Sequence, residues 1–359
     1  MNHNLLMSLK VAIVAVLFAA SFSADFAHGQ TGNVIDIDTT AVEFGLIDSD
    51  GTFTPAQEAQ FRVELAAACR EAEAILEQRI IGYSTEVPAA VRNLLSTVQI
   101  RCNIEQIDGP GGILAFAGPR SMATITRTFG AAATPVETTL PIEGIATFDY
   151  ADLEFLSTTN TFTQVAAHEI LHATSFGFWE FSSLCGPVSG VGIDGYVGGQ
   201  YAIPAFRLET DRPFANFIPL QQTETGVGGH WAPDFMVFDP AIGALRGDLM
   251  VPFLDAVNPG VFISESTFGV MADHGYAVIG FNEQLLAPAS PGVWPKTTGG
   301  IDPFGPIGPG AAAGASFVRV QGRTLAITTE GGANLRVQSS DSVGPRSDPY
   351  NLRRFRWVR

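Results

Sequence analysis

Lysine is almost missing from this chain. Of 359 residues only Lys10 and Lys296 are lysine, so nearly all of the 20 basic side chains are arginine. Basic residues are scarce in total as well, and 36 acidic side chains set the formal net charge at −16. A surface of that sign repels phosphate backbones and anionic lipid, which excludes a protein built to coat nucleic acid. Cysteine is equally sparse. Cys69, Cys102 and Cys185 form no CxxC pair, so a cysteine-ligated zinc site is excluded. In an oxidising compartment Cys69–Cys102 is the preferred disulfide, with Cys185 left odd; three buried thiols are the alternative. Long apolar runs are also absent. The run from Val11 to Ala20 falls short of the ~20 residues that a membrane-spanning helix needs, and no later stretch reaches that length.

What is present is a large apolar fraction. Hydrophobic residues make up 46% of the chain, enough for a sizeable core and far above a disordered composition. Length alone allows one to three domains. Lys10, the apolar run behind it and the small-x-small triplet Ala27-His28-Gly29 read as a signal peptide over residues 1–29, with an N-terminal anchor or buried helix as the other reading. The mature chain is then exported: secreted, periplasmic or held at the cell surface. Its charge stays at −16, because Lys10 and Asp25 cancel.

Residues 30–53 are polar and form a loose mature N-terminus with one strand. Thr54-Pro55-Ala56-Gln57 carries an N-cap, a proline at the first helical position and a capping-box glutamine. Phe61, Leu65, Cys69, Ala72, Leu76 and Ile80 then recur at helical spacing, which predicts one long helix over 55–80. Val98, Ile100, Cys102 and Ile104 alternate as a strand, Asp108–Gly112 is a turn, and strands follow near 113–117 and 140–150. A short helix opens at 152–155, and a buried helix runs from Thr161 towards Phe176-Gly177. Residues 182–200 and 223–229 read as loops, 201–210 as a helix, and 263–278 as a helix ending at Gly280. Residues 296–316 suit a Gly/Pro linker, and 317–338 suggest two or three strands of a small tail.

The buried helix contains His168-Glu169-Ile170-Leu171-His172, an HExxH motif. Positions i and i+4 share a helix face, so both imidazoles can address one metal ion while Glu169 reaches a water beside it. A catalytic zinc needs a third protein ligand and one open position. After residue 29 only four histidines exist: His168, His172, His230 and His274. His230, in Gly228-Gly229-His230-Trp231, sits beside glycines in what reads as a tight loop. His274 closes a helix, where a histidine also suits the helix dipole. Asp194 is a competing carboxylate ligand, and Glu180 stands only eight residues past His172.

These segments resemble the leishmanolysin-type metzincins, in a bacterial-looking exported version. The resemblance lies in HEILHATSF, in GGHWAPDF, in RGDLMVP and in STFGVMADHGYAV, with DGPGGILAFAGPR and GIATFD upstream, and covers roughly residues 50–280. It implies an α+β zincin domain over 54–295: a twisted sheet, a long helix, an active-site helix and a mainly helical C-terminal subdomain. It implies a zinc endopeptidase with His168, His172 and His230 as ligands, Glu169 as general base and Met250 in the Met-turn. Tyr276 and His274 are auxiliary candidates; calcium is left open. The expected partners are protein or peptide substrates. Two alternatives stand beside it: a zinc-binding adhesion or matrix protein without turnover, and a zincin that uses Asp194. One departure matters: where the family carries glycine three residues after the second histidine, this chain has Ser175, with Gly177 two further on.

Charge divides by region. Residues 30–295 hold 10 basic and 31 acidic side chains, whereas 296–359 hold nine basic and four acidic, a net +5. The acidic region contains no lysine, which suits solubility and resistance to Lys-directed cleavage, and the tail opposes it in sign.

Overall fold

The computed structural model describes residues 34–281 apart from 39–52, 96, 129–134, 180–182, 189–191, 224–225, 240 and 256–259, together with five two-residue strands between 319 and 339. The expected signal segment, linker and Glu180 lie outside the described residues. Among those described, no helix is long and apolar enough to cross a membrane.

The chain is α+β. Strand β1 (Ile35–Asp38) leads to helix α1 (Pro55–Glu77), strand β2 (Ile80–Tyr83), helix α2 (Ala89–Leu95) and strands β3 (Val98–Glu105), β4 (Ala115–Thr128) and β5 (Pro135–Asp149). A 3-10 turn (Tyr150–Asp152) then opens α3 (Leu153–Thr159) and α4 (Phe162–Ala173). The order across the main sheet is β1-β3-β5-β4, with β1, β3 and β5 parallel and β4 antiparallel. Gln338–Ser339 adds a further antiparallel strand beyond β4, opposite Ser121 and Met122.

Helix α1 begins where the capping box predicts. The Gln57 N–H donates to Thr54 Oγ1 and the Thr54 N–H to Gln57 Oε1. Phe61, Leu65, Cys69, Ala72 and Leu76 are its buried stripe. It stops at Glu77 rather than 80, because Ile80 already belongs to β2, which pairs with a strand near the end of the domain. Strand β3 alternates as expected: Val98, Ile100, Cys102 and Ile104 are buried while Gln99 and Arg101 are exposed. The buried face receives α1, where Cys69 Sγ and Cys102 Sγ lie 2.9 Å apart as free thiols; Cys185 is elsewhere and half-buried.

Helix α4 lies beside α1 and packs across β4 and β5. Every residue from Gln164 to Ala173 is buried, the pattern of a helix covered on all sides. Its close seat on the sheet needs Gly144 in β5: a Cβ there would come within 2.8 Å of the Ala173 Cβ.

The second half is more β-rich than the resemblance implies. Strands β6 (Cys185–Pro187), β7 (Asp194–Tyr196), β8 (Ile218–Thr223) and β9 (Gly226–Trp231) form one antiparallel sheet, and α5 (Ala202–Glu209) lies between β7 and β8 in sequence. Hairpin β10 (Met236–Asp239) and β11 (Ala244–Gly247) follows, then α6 (Glu265–His274) and β12 (Tyr276–Val278). Two helices against seven short strands correct the expectation of a mainly helical subdomain among the described residues. The stretches read as loops contain β6, β7 and most of β9, which are short and glycine-bearing, so no period of two is visible in them. The helix expected over 263–278 is shorter because Gly275, at φ 116°, caps it and releases Tyr276 into β12.

Candidate metal centre

Histidines 168 and 172 stand one turn apart on α4, and their Nε2 atoms are 2.9 Å apart. His230 Nε2 lies 3.0 Å from His168 Nε2 and 3.3 Å from His172 Nε2. A tetrahedral zinc with Zn–N of about 2.0–2.1 Å asks for nitrogens about 3.3 Å apart. The three rings are fully buried, and they are the one group of metal-capable side chains gathered this closely among the described residues.

The other ring nitrogens fix how this triangle is oriented. His168 Nδ1–H donates to the Leu249 carbonyl at 2.7 Å, His172 Nδ1–H to the Phe176 carbonyl at 2.9 Å, and His230 Nδ1–H to Gln221 Oε1 at 2.8 Å. Each acceptor can only accept, so each Nδ1 carries the proton and each Nε2 turns a lone pair inward. Burial lowers the His168 pKa to about 4, against the Leu249 bond that raises it, so this ring is neutral at physiological pH. Three converging lone pairs repel one another unless a cation sits between them, and such outer hydrogen bonds accompany histidine ligation.

Glu169 supplies the second observation. It is fully buried, neither carboxylate oxygen has a hydrogen-bond partner, and burial raises its pKa well above the usual carboxylate range. A bare buried carboxyl next to a ligand histidine calls for a cation or a polar guest as its partner.

The turn after α4 assembles the rest. The Phe176 N–H returns to the Leu171 carbonyl at 2.9 Å and the Ser175 N–H to that of His172 at 3.0 Å, a Schellman closure. Its left-handed residue is Ser175, with φ 82°. The chain therefore reverses at this position despite the lack of glycine, and the reversal brings the Phe176 carbonyl onto His172. Gly177, at φ 87°, then lies against the Gly229 carbonyl, where a Cβ would overlap. Trp179 Nε1 donates to the Gly228 carbonyl at 3.0 Å, a second clamp onto the strand that carries His230. His230 thus lies in strand β9, not in a tight loop. Gly228 is small for a related reason: a Cβ there would overlap the Gln221 side chain that holds His230.

Met250 is fully buried in the turn Asp248-Leu249-Met250. Its carbonyl accepts the Trp231 N–H at 3.1 Å, and the preceding carbonyl, of Leu249, holds His168. The turn therefore touches two of the three ligand segments. Its acid, Asp248, is buried, which raises its pKa against several hydrogen bonds that lower it.

Of the other candidates, His274 and Asp194 fall outside the histidine group. Tyr276 donates its hydroxyl to the Thr174 carbonyl at 3.3 Å and stacks on Tyr83. His274 is buried, with Nδ1 3.4 Å from the Thr139 carbonyl and its ring near Trp179. Tyr276 braces the C-terminal end of α4, and His274 lies between β5 and Trp179. Asp194 sits in β7 opposite Pro187, outside the histidine group. Sequence reasoning missed Phe176, Gly177, Trp179, Gln221, Asp248 and Leu249. The first glycine past the HExxH helix was the available signal for Gly177. Leu249 and Phe176 act through backbone carbonyls, which carry no signature of residue type.

Comparison with family models, with curated proteins and with solved structures finds no match to this chain.

Proposed function

We propose that the chain is an exported zinc-dependent endopeptidase of the leishmanolysin-like metzincin type. The observation that carries the reading is the meeting of His168, His172 and His230 at their Nε2 atoms, with a buried, unpartnered Glu169 next to His168 in the chain. Three histidines suit zinc and leave a fourth position open, as in hydrolytic sites. Zinc, when bound, supplies a Lewis acid that acidifies a water and polarises the scissile carbonyl.

The chain's residues do the remainder. Glu169 takes the water's proton as its oxygen bonds to the carbonyl carbon, then delivers that proton to the amine nitrogen as the C–N bond breaks. Burial raises the Glu169 pKa well above the usual carboxylate range, and a neighbouring dication would favour the carboxylate that a base requires. Leu249, Phe176 and Gln221 hold the rings in the ligating tautomer throughout.

The purified protein is expected to hold about one zinc per chain, the stoichiometry of a single three-histidine site. It is expected to cleave a quenched peptide or casein, and to lose that activity to a chelator. Glu169→Ala should retain the metal and lose cleavage; full activity in that variant would sink the mechanism.

A second reading has one observation in its favour. All three histidines and Glu169 are 0% exposed, as in a metal site that holds structure together without turnover. A zinc-loaded chain that cleaves no peptide under any condition would select this reading.

A further inference from the structure

Among the supports of the histidines is one buried carboxylate that ties several segments together. Asp248 is 1% exposed. Its Oδ1 accepts the Met250 N–H at 2.7 Å and the Thr267 hydroxyl at 2.9 Å, and its Oδ2 accepts the Ser264 N–H at 2.7 Å. None of these partners is a candidate ligand, but the bonds to Met250 and Thr267 each lead to one, and the bond to Ser264 ties the turn to the start of α6. The bond to Met250 closes the turn whose Leu249 carbonyl holds His168 Nδ1–H. The Thr267 hydroxyl also accepts Trp231 Nε1–H at 2.8 Å, and the Met250 carbonyl accepts the Trp231 N–H. Trp231 is the residue after His230. One buried acid therefore anchors the supports of two ligands that stand 62 residues apart in the chain.

We propose that Asp248 is the positioning residue of the metal centre. It sets the Leu249 carbonyl for His168 and, through Thr267 and Met250, the strand position of His230. The inference rests on reading the three histidines as metal ligands. The physical argument is directional. A carboxylate accepts from several donors at once, so it can close the turn and tie it to the start of α6 with the same group. Asparagine in its place turns an N–H2 towards one of those donors, and the turn loosens. The Leu249 carbonyl then leaves the His168 ring, which loses its fixed tautomer and its aim.

The test compares Asp248→Asn with Asp273→Asn. Asp273 is an equally buried carboxylate. It accepts from the Gln200, Tyr201 and Ala202 N–H groups at the start of α5 and from the Tyr196 hydroxyl in β7, and from none of the groups that hold the three histidine rings. Asp248→Asn should weaken zinc binding about 10- to 100-fold, the usual cost of losing an outer-shell partner. It should also shift the visible absorption bands of the cobalt-substituted protein, and move or abolish the His168 Nδ1–H resonance in metal-free protein. Asp273→Asn should lower the Tm but leave zinc affinity within about twofold, since it touches no ligand support. Wild-type affinity and an unmoved His168 resonance in Asp248→Asn would overturn the proposal; so would an equal loss of affinity in Asp273→Asn. If Asp248→Asn does not fold, Thr267→Val cuts the bridge from Asp248 to Trp231 alone. It should weaken zinc binding by a factor of about three to ten, and no change would count against the proposal. If wild-type protein binds no zinc, the metal reading fails on that measurement, while the His168 resonance in the metal-free variants still decides the role of Asp248.

Discussion

Gly177→Ala is the sharpest probe of how the site is assembled. At φ 87° an alanine enters the left-handed region, which costs about 1–2 kcal/mol for a residue with a Cβ. The contact adds more. The new Cβ would stand 2.9 Å from both the carbonyl carbon and the Cα of Gly229, and would overlap the carbonyl oxygen, where ordinary contact begins at 3.4 Å. Strand β9 must therefore retreat by at least roughly 0.5 Å, more than the ~0.2 Å tolerance of metal–ligand distances. Overpacking of this kind costs about 1–3 kcal/mol, so the total loss of stability is about 2–5 kcal/mol. The displaced residue is the neighbour of His230, so zinc affinity should fall by more than about tenfold. Gly192→Ala is the control: it has a comparable φ of 75° but nothing within 4 Å of its Cβ, so it pays the backbone strain alone. Chelator-competition titrations and thermal melts of the two variants separate strain from displacement. If Gly177→Ala binds zinc as tightly as Gly192→Ala, the packing of the α4 turn against β9 does not set the His230 position.

Four further outcomes follow from the same geometry. Ser175→Gly should stabilise the fold by about 1 kcal/mol, because a non-glycine φ of 82° is relieved while the Schellman closure stays; an unchanged or lower melting temperature would contradict this. Gln221→Ala removes the acceptor on His230 Nδ1, and zinc affinity should fall about 10-fold or more with little change in melting temperature. Burial raises Asp273 to about 6 in the fold, against about 3.9 unfolded, so the folded chain holds more protons between those values. The stability from this group is complete below about pH 4 and is lost as pH rises through 6, on the order of 3 kcal/mol in all; denaturant unfolding of metal-free protein should show that slope, and Asp273→Asn should flatten it. Finally, mild oxidation should join Cys69 to Cys102, whose sulfurs already touch, and leave Cys185 as the reactive thiol; a peptide map with Cys185 in a crosslink would refute it.

Local chemistry was the legible part of the fold. The start of α1 is written in Thr54 to Gln57, and the face of β3 in Val98, Ile100, Cys102 and Ile104, because capping and alternation involve near neighbours. Strand β9 was not legible. Gly226, Gly228 and Gly229 give it no alternation, and it is a strand because β8 lies beside it and Gly177 presses on its backbone. The same holds for β12, a three-residue strand that exists by pairing with β2. Ser175 shows the reverse case, where a residue unsuited to a left-handed turn is held there by the closure around it.

The sequence by itself determined the chemistry on offer. His168 and His172 share one helix face by spacing alone, with Glu169 next to the first of them, and the shortage of histidines left His230 as the nearest match for a third ligand. Their aim was decided in three dimensions. The tautomer of each ring follows from the Leu249 and Phe176 carbonyls and from Gln221, and the Leu249 support depends in turn on Asp248. Apart from Phe176, these partners lie nine to 81 positions from the rings they hold, and two of them act through the backbone. Only the folding of β9 and the Met250 turn onto α4 turns three histidines into one site, because a hydrogen bond is set by distance and direction in space and not by order along the chain.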